Sequence, residues 1–191
     1  MSAFYADVTK DRLYSDAVDA RPRRAAQVVQ YECLRAIATL AAPILCFTAE
    51  DIWTYMPKRA GDPDSVHVAT FPEPGAGDDK IIADFAVLLA WRERVTKALE
   101  PFRAQKNKSV DARVTLRASA SERAVLSVYA GELADLFIVS DAAIVDGDGA
   151  VEVAAHPGPR CERCWKHYEK LAANPNDVCE RCAIALAGIR A

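Results

Sequence analysis

With 191 residues, 51% of them apolar, the chain is long enough to bury a core and fits one domain plus a small appendage better than two equal domains. A formal net charge of −3 excludes a generic basic nucleic-acid binder, and no apolar run approaches membrane-spanning length. The charge is uneven, with eight basic and seven acidic groups in residues 1–60, ten and sixteen in 61–155, and six and four in 156–191. The tail's positive character therefore rests on the placement of Arg160, Arg163, Lys166 and Arg181.

From Arg23 to Ala42 the residues Val28, Tyr31, Ile37 and Leu40 recur at helical spacing and predict a long, well-buried helix. Pro43 ends it. Phe47-Thr48-Ala49-Glu50-Asp51 then offers a staple residue, an N-cap hydroxyl and an acid three positions on, so a second helix is expected over 49–56. Pro57 closes that helix. The proline- and glycine-rich stretch 58–77 reads as an irregular connection with one strand-like piece, Ser65 to Ala69. A third helix is predicted from Asp79 to Gln105, burying Leu88, Trp91, Val95, Leu99 and Phe102, with Pro101 as a possible kink. The pattern next alternates, and Ala112 to Ala118 reads as a half-buried strand with Val114 and Leu116 on one side. A short helix over Ser121 to Ala130 follows, then short strands at Leu136 to Ser140 and Ala142 to Val145. The last of these is expected to pair through Asp146-Gly147-Asp148-Gly149 with Val151 to Ala154. His156-Pro157-Gly158-Pro159 is a stiff linker. The fold class expected is mainly α with a small α/β unit.

Beyond the linker stand two Cys-x2-Cys knuckles, Cys161/Cys164 and Cys179/Cys182, separated by fourteen residues. Each knuckle aims two sulfurs at one point, and the loop between them lets the pairs converge into the tetrahedron that structural zinc prefers. Disulfides are the alternative, but residues 1–20 are charged throughout and do not resemble a secretory leader, so a reducing, cytoplasmic setting is expected. With four thiolates no ligand position stays open, so one structural zinc ion should fold the tail without catalysing anything. Trp53 and Trp91 lie on apolar faces and read as core, Cys33 and Cys46 as buried small hydrophobes, and His67 as structural. His156 and His167 are not needed as ligands. Asp62, Asp64, Asp78 and Asp79 fall in turn-rich sequence and are assigned to local backbone hydrogen bonds. No constellation for acid/base or nucleophilic catalysis is present in the pattern.

Four strings in order carry a resemblance: FYADVTKDRLYSD (4–16), LAAPILCFTAEDIWTYMP (40–57), SVHVATFP (65–72), and CERCW (161–165) followed by CERC (179–182). Together they resemble the C-terminal region of bacterial isoleucyl-tRNA synthetases. One departure is Lys106-Asn107-Lys108-Ser109-Val110, where that family usually carries a glycine. The resemblance implies an exit segment from the catalytic core (1–20), the helical-bundle anticodon-binding domain of class I synthetases (21–108), a small α/β unit (109–155) and a zinc-binding tail (156–191). It also implies a non-catalytic region that binds the anticodon arm of the isoleucine tRNA. Neither the HIGH-type nor the KMSKS-type signature occurs, so ATP and ligase chemistry would belong to the remainder of a longer synthetase chain.

Under that reading Trp165 is the first candidate for stacking on an anticodon base, with Arg163 and Lys166 preferred among the flanking cations and Arg160 beside them. Arg23 and Arg24, opening the first long helix, are candidates for phosphate, and Lys106 and Lys108 are of second rank. The alternatives are the matching region of a valine or leucine synthetase, which shares the FTAEDIW-like turn, a zinc finger of the formamidopyrimidine DNA glycosylase type, and a zinc-stapled module that docks protein. The glycosylase chemistry needs an N-terminal proline, and none occurs before Pro22.

Overall fold

A computed structural model describes residues 2–189; Met1 of the expected exit segment and Arg190 and Ala191 of the expected tail lie outside the described residues. Seven α-helices and three strands are found among them. In chain order these are α1 (Asp7–Ser15), α2 (Arg21–Ala41), α3 (Cys46–Tyr55), α4 (Asp79–Ala104), β1 (Ala112–Ala118), α5 (Ala120–Val128), α6 (Leu133–Phe137), β2 (Asp141–Asp146), β3 (Val151–Ala155) and α7 (Glu180–Ile189). No described helix is long and apolar enough to cross a membrane.

The chain forms two compact units, one of Arg21–Gly77 and one of the residues up to Ala20 together with those from Asp78 onward. This division cuts across the expected domains. The buried stripe of α4, made by Leu88, Trp91, Val95 and Leu99, shares one core with Val114, Leu116, Leu126, Leu133 and Val139, so α4 belongs with the strands.

In the smaller unit Ala38 of α2, Ala42 just beyond it, Ala49 and Trp53 of α3, Met56 and Val66 form the core. Glu50 fixes the connection that follows, accepting hydrogen bonds from Ser65 Oγ (2.9 Å) and Val66 N (3.0 Å). Ser65 in turn caps a 3-10 turn over Val66–Val68, where the sequence had suggested a strand-like piece. Three other expectations fail here. Val28, Ile37 and Leu40 are 57–58% exposed, because within this unit α3 and one turn cover only one face of α2, the face bearing Tyr31 and Ala38. The second helix begins at Cys46 with no side-chain cap, so Thr48 lies inside it and Phe47 stands exposed where a staple was expected. Cys46 is exposed and Cys33 half-buried, not buried hydrophobes.

In the larger unit Asp78 Oδ1 caps α4 by accepting from Ile81 N at 3.1 Å. Ser119 and Glu122 form a reciprocal capping box at the start of α5. The sheet order is β2-β1-β3, with β2 parallel and β3 antiparallel to β1. The expected β2–β3 hairpin is therefore replaced by two separate pairings to β1, Val114 standing opposite Ala142 on one side and Val153 on the other. Leu136 and Phe137 close α6 where a strand was expected, and Ile138 ends that helix in the left-handed region at φ 58°. In the linker, a side chain at Gly158 would lie 1.9 Å from the Tyr168 carbonyl oxygen, so only glycine fits.

Candidate metal centre and adjoining surface

The sulfurs of Cys161, Cys164, Cys179 and Cys182 all lie within 4.8 Å of one another. The first knuckle closes through Trp165 N donating to Cys161 O and Cys161 N donating to Lys166 O, both at 2.9 Å. The second places Cys179 just before α7 and Cys182 within it, both buried. A tetrahedral ion with metal–sulfur bonds of about 2.3 Å requires sulfurs roughly 3.8 Å apart, and Cys164 and Cys179 stand at 3.9 Å. All six cysteines of the chain are free.

Donors surround the sulfurs as metal thiolates need. Cys179 N donates to Cys161 Sγ (3.2 Å), Arg163 Nη1 to Cys182 Sγ (3.5 Å), and the Tyr168 hydroxyl stands 3.5 Å from Cys164 Sγ. Hydrogen bonds from Cys164 and Cys182 pull the Cys179 thiol far below its ordinary value, while the same crowding by Cys164 and Cys179 pushes Cys182 up. Such a cluster cannot hold four thiolates without a cation among them, and the donor set therefore fits a metal ion and is consistent with zinc.

Around the centre the predicted cations divide. Lys166 is only 7% exposed, and its Nζ pairs with Asp135 and stands 3.7 Å from Asp11 Oδ2. Arg163 donates to the carbonyls of Tyr14 (3.2 Å) and Ser15 at the end of α1. Arg181 makes a two-pronged pair with Asp11 (2.7 and 2.9 Å) and reaches Asp16 at 3.1 Å. Burial opposes the Arg181 charge, yet Asp11 raises its basicity further; burial pushes the Asp16 carboxyl up against the pull of Arg181. All three cations, two of them the preferred RNA candidates, are thus paired within the larger unit. The sequence shows their charge but not partners more than thirty to a hundred and sixty residues away, and it gave no sign of Asp11, Asp16 and Asp135 as those partners.

Trp165 is 57% exposed, and Lys108 Nζ stands 5.5 Å from its ring centroid, a cation–π geometry. Two candidates fifty-seven positions apart in sequence are thereby brought together. Lys106, exposed and left-handed at φ 69°, follows the end of α4 nearby in the chain, and Arg160 is exposed with its Nη2 3.4 Å from Glu162. Arg23 and Arg24 fall in the first turn of α2, in the smaller unit, with Arg24 Nη1 3.1 Å from Gln27 Oε1.

A fold of helices with one small sheet, carrying a four-cysteine centre flanked by an exposed indole, is the setting for the comparison with known proteins. Residues 1–118 match the model of the anticodon-binding domain of tRNA ligases, and the chain belongs to that family. Its curated relatives include the isoleucine–tRNA ligase of Geobacter sulfurreducens, 45% identical over 89% of this chain and 20% of the relative. Those of Thermotoga neapolitana (39% identical, 90% of this chain, 20% of the relative) and Neisseria gonorrhoeae (38%, 89% and 19%) are similar in the same way. The chain thus spans about one fifth of the length of these relatives.

Proposed function

We propose that this chain is the anticodon-arm-binding region of an isoleucine–tRNA ligase, with one zinc ion as the structural centre of its tail and the isoleucine tRNA as its partner. The observation that carries the reading is the meeting of exposed Trp165 with Lys108 on the surface of the four-cysteine centre. An aromatic face backed by a cation suits an unstacked base of an RNA loop, and one such stack is worth about 1–3 kcal/mol. Zinc would be held by Cys161, Cys164, Cys179 and Cys182, and it supplies a crosslink between the two knuckles. Thiolate ligation of this kind suits a reducing cytoplasm.

In this reading α2 and α3 in the smaller unit and α4 in the larger one all fall within the anticodon-binding region, which the family match carries to residue 118. Trp165 and Lys108 engage a base, Lys106 and Arg160 the neighbouring phosphates, and Arg23 and Arg24 at the start of α2 a further phosphate. Lys166 is set aside as an RNA contact by its burial, and Arg163 ranks below Arg160 because carbonyls of α1 already take its donors. ATP binding and the joining of isoleucine to tRNA belong, in this reading, to the remaining four fifths of a synthetase of the relatives' size.

The test is titration of the zinc-loaded chain with the anticodon stem-loop of the isoleucine tRNA, against a valine stem-loop, over a salt series. Tighter binding of the isoleucine loop, weakening with salt, is expected. Preference for the valine loop would move the assignment to a sister synthetase, and no binding of either would refute an anticodon reader.

A further inference from the structure

We propose that the four-cysteine knuckle is a metal-dependent clamp on α1, and that Arg181 is the residue through which metal occupancy reaches that helix. The inference rests on the metal reading of the four thiols and goes beyond it.

α1 has nine residues, of which only Thr9 and Ser15 are buried, and with the π-helical turn over Ser2–Ala6 that runs into it the helical segment is fourteen residues long. Helices shorter than about 12–15 residues are marginal in water, so the order of α1 depends on what it docks against. It docks through charge on two sides: its own Arg12 pairs with Asp135 (3.3 Å) and Glu132 (3.5 Å) at α6, and the knuckle supplies the other side. Arg181, between the ligands Cys179 and Cys182, holds both carboxylate oxygens of Asp11 and one of Asp16, and Asp16 itself is buried. Lys166, two residues beyond Cys164, stands over Asp11 while pairing with Asp135. Arg163, beside Cys164, donates at once to Cys182 Sγ and to the last carbonyls of α1, where the helix dipole leaves negative charge.

All three cations sit within two residues of a cysteine, so the closed knuckle sets their positions. When the metal leaves, four crowded sulfurs lose the cation that gathers them, the knuckles part, and Arg181, Lys166 and Arg163 separate. Asp11 and the buried Asp16 then lose their counter-charge, and α1, left with its Arg12 pairs to Asp135 and Glu132, opens more often. The linkage is reciprocal: a chain that cannot hold α1 must bind metal more weakly by the same factor.

The experiment uses the full chain. Hydrogen exchange of peptides covering residues 7–16 is measured with zinc loaded and after chelation, and cobalt affinity is measured by the thiolate charge-transfer absorbance for the parent chain and for Asp11→Asn with Asp16→Asn. Chelation should speed exchange in α1 at least tenfold while α4 is unchanged. The double variant should bind cobalt more weakly, within the roughly 5–150-fold range usual for such coupling, with the tetrathiolate spectrum retained. If the chain binds cobalt but α1 exchanges alike with and without metal, or the variant's affinity is unaltered, the clamp is overturned and the metal centre stands. Absence of any thiolate–cobalt absorbance would overturn both.

Discussion

Trp165 holds a φ of 64°, a left-handed backbone that costs a bulky residue about 1–2 kcal/mol. The knuckle hydrogen bonds from Trp165 N to Cys161 O and from Cys161 N to Lys166 O enforce it, and they would enforce it on a glycine without the cost. The ring does not repay that cost by packing. It is mostly exposed and stands outside the cluster of Cys161, Val178, Cys179 and Cys182 with its half-buried neighbours Tyr168, Leu171 and Leu186. Under the proposed function, the strained and solvent-facing ring is held there to stack on a base. Trp165→Ala is therefore expected to weaken stem-loop binding by about 1–3 kcal/mol while the thermal midpoint of the chain stays put; a midpoint that falls with it would make the ring part of the core. The thiols could be read from the sequence because ligand spacing is itself chemistry. The indole's backbone could not, since it follows from how the knuckle closes.

At the scale of elements, local signals served well where one neighbour decides and poorly where distant partners compete. α4, β1 and the capping box of α5 follow from periodicity and from Ser119 and Glu122. The Asp-Gly-Asp-Gly turn does reverse the chain between β2 and β3, but β1 inserts between them, and a turn motif carries no information about which strand will intervene. The apolar run Leu136 to Val139 suits a buried strand or a buried helix equally, and α6 wins by completing the core around Leu126 and Leu133. Asp62, read only as a turn residue, ties α2 to the irregular connection. It accepts from Arg35 Nη1 and from Arg59 N, each at 2.7 Å, while the Arg35 guanidinium lies 4.7 Å from the Trp53 ring centroid. The Arg35 hydrogen bond, aided by that of Arg59, lowers the Asp62 carboxyl to about 2. A carboxyl held below its ordinary value contributes stability that is complete above pH 3.8 and lost as pH falls toward about 2. In urea titrations followed by amide exchange in α2, the advantage of the parent chain over Asp62→Asn should be constant above pH 5 and shrink between pH 4 and 2. An advantage that persists unchanged to pH 2 would mean that the pair does not stabilise this unit.

Across the whole molecule three clusters are unequal in what they can hold unaided. The larger unit's main core gathers thirteen buried residues, with Trp91, Leu116 and Leu126 among them, and the smaller unit has Trp53 at its centre. The tail's cluster has four buried members, three of them the candidate ligands Cys161, Cys179 and Cys182, so most of its interior is the metal centre itself. Structural zinc supplies about 10–16 kcal/mol to the folding of comparable small fingers, far more than burial of Val178 and a few half-buried neighbours can replace. Removal of the metal should therefore unfold residues 156–189, taking α7 with it and loosening α1, while α2 and α4 keep their packing. Those two long helices carry most of the helical residues, so chelation should lower the far-UV helical signal by a minor fraction and leave one cooperative melt. Loss of most of the helical signal would show that the knuckle supports the whole larger unit, and an unchanged signal would show that the tail folds without metal.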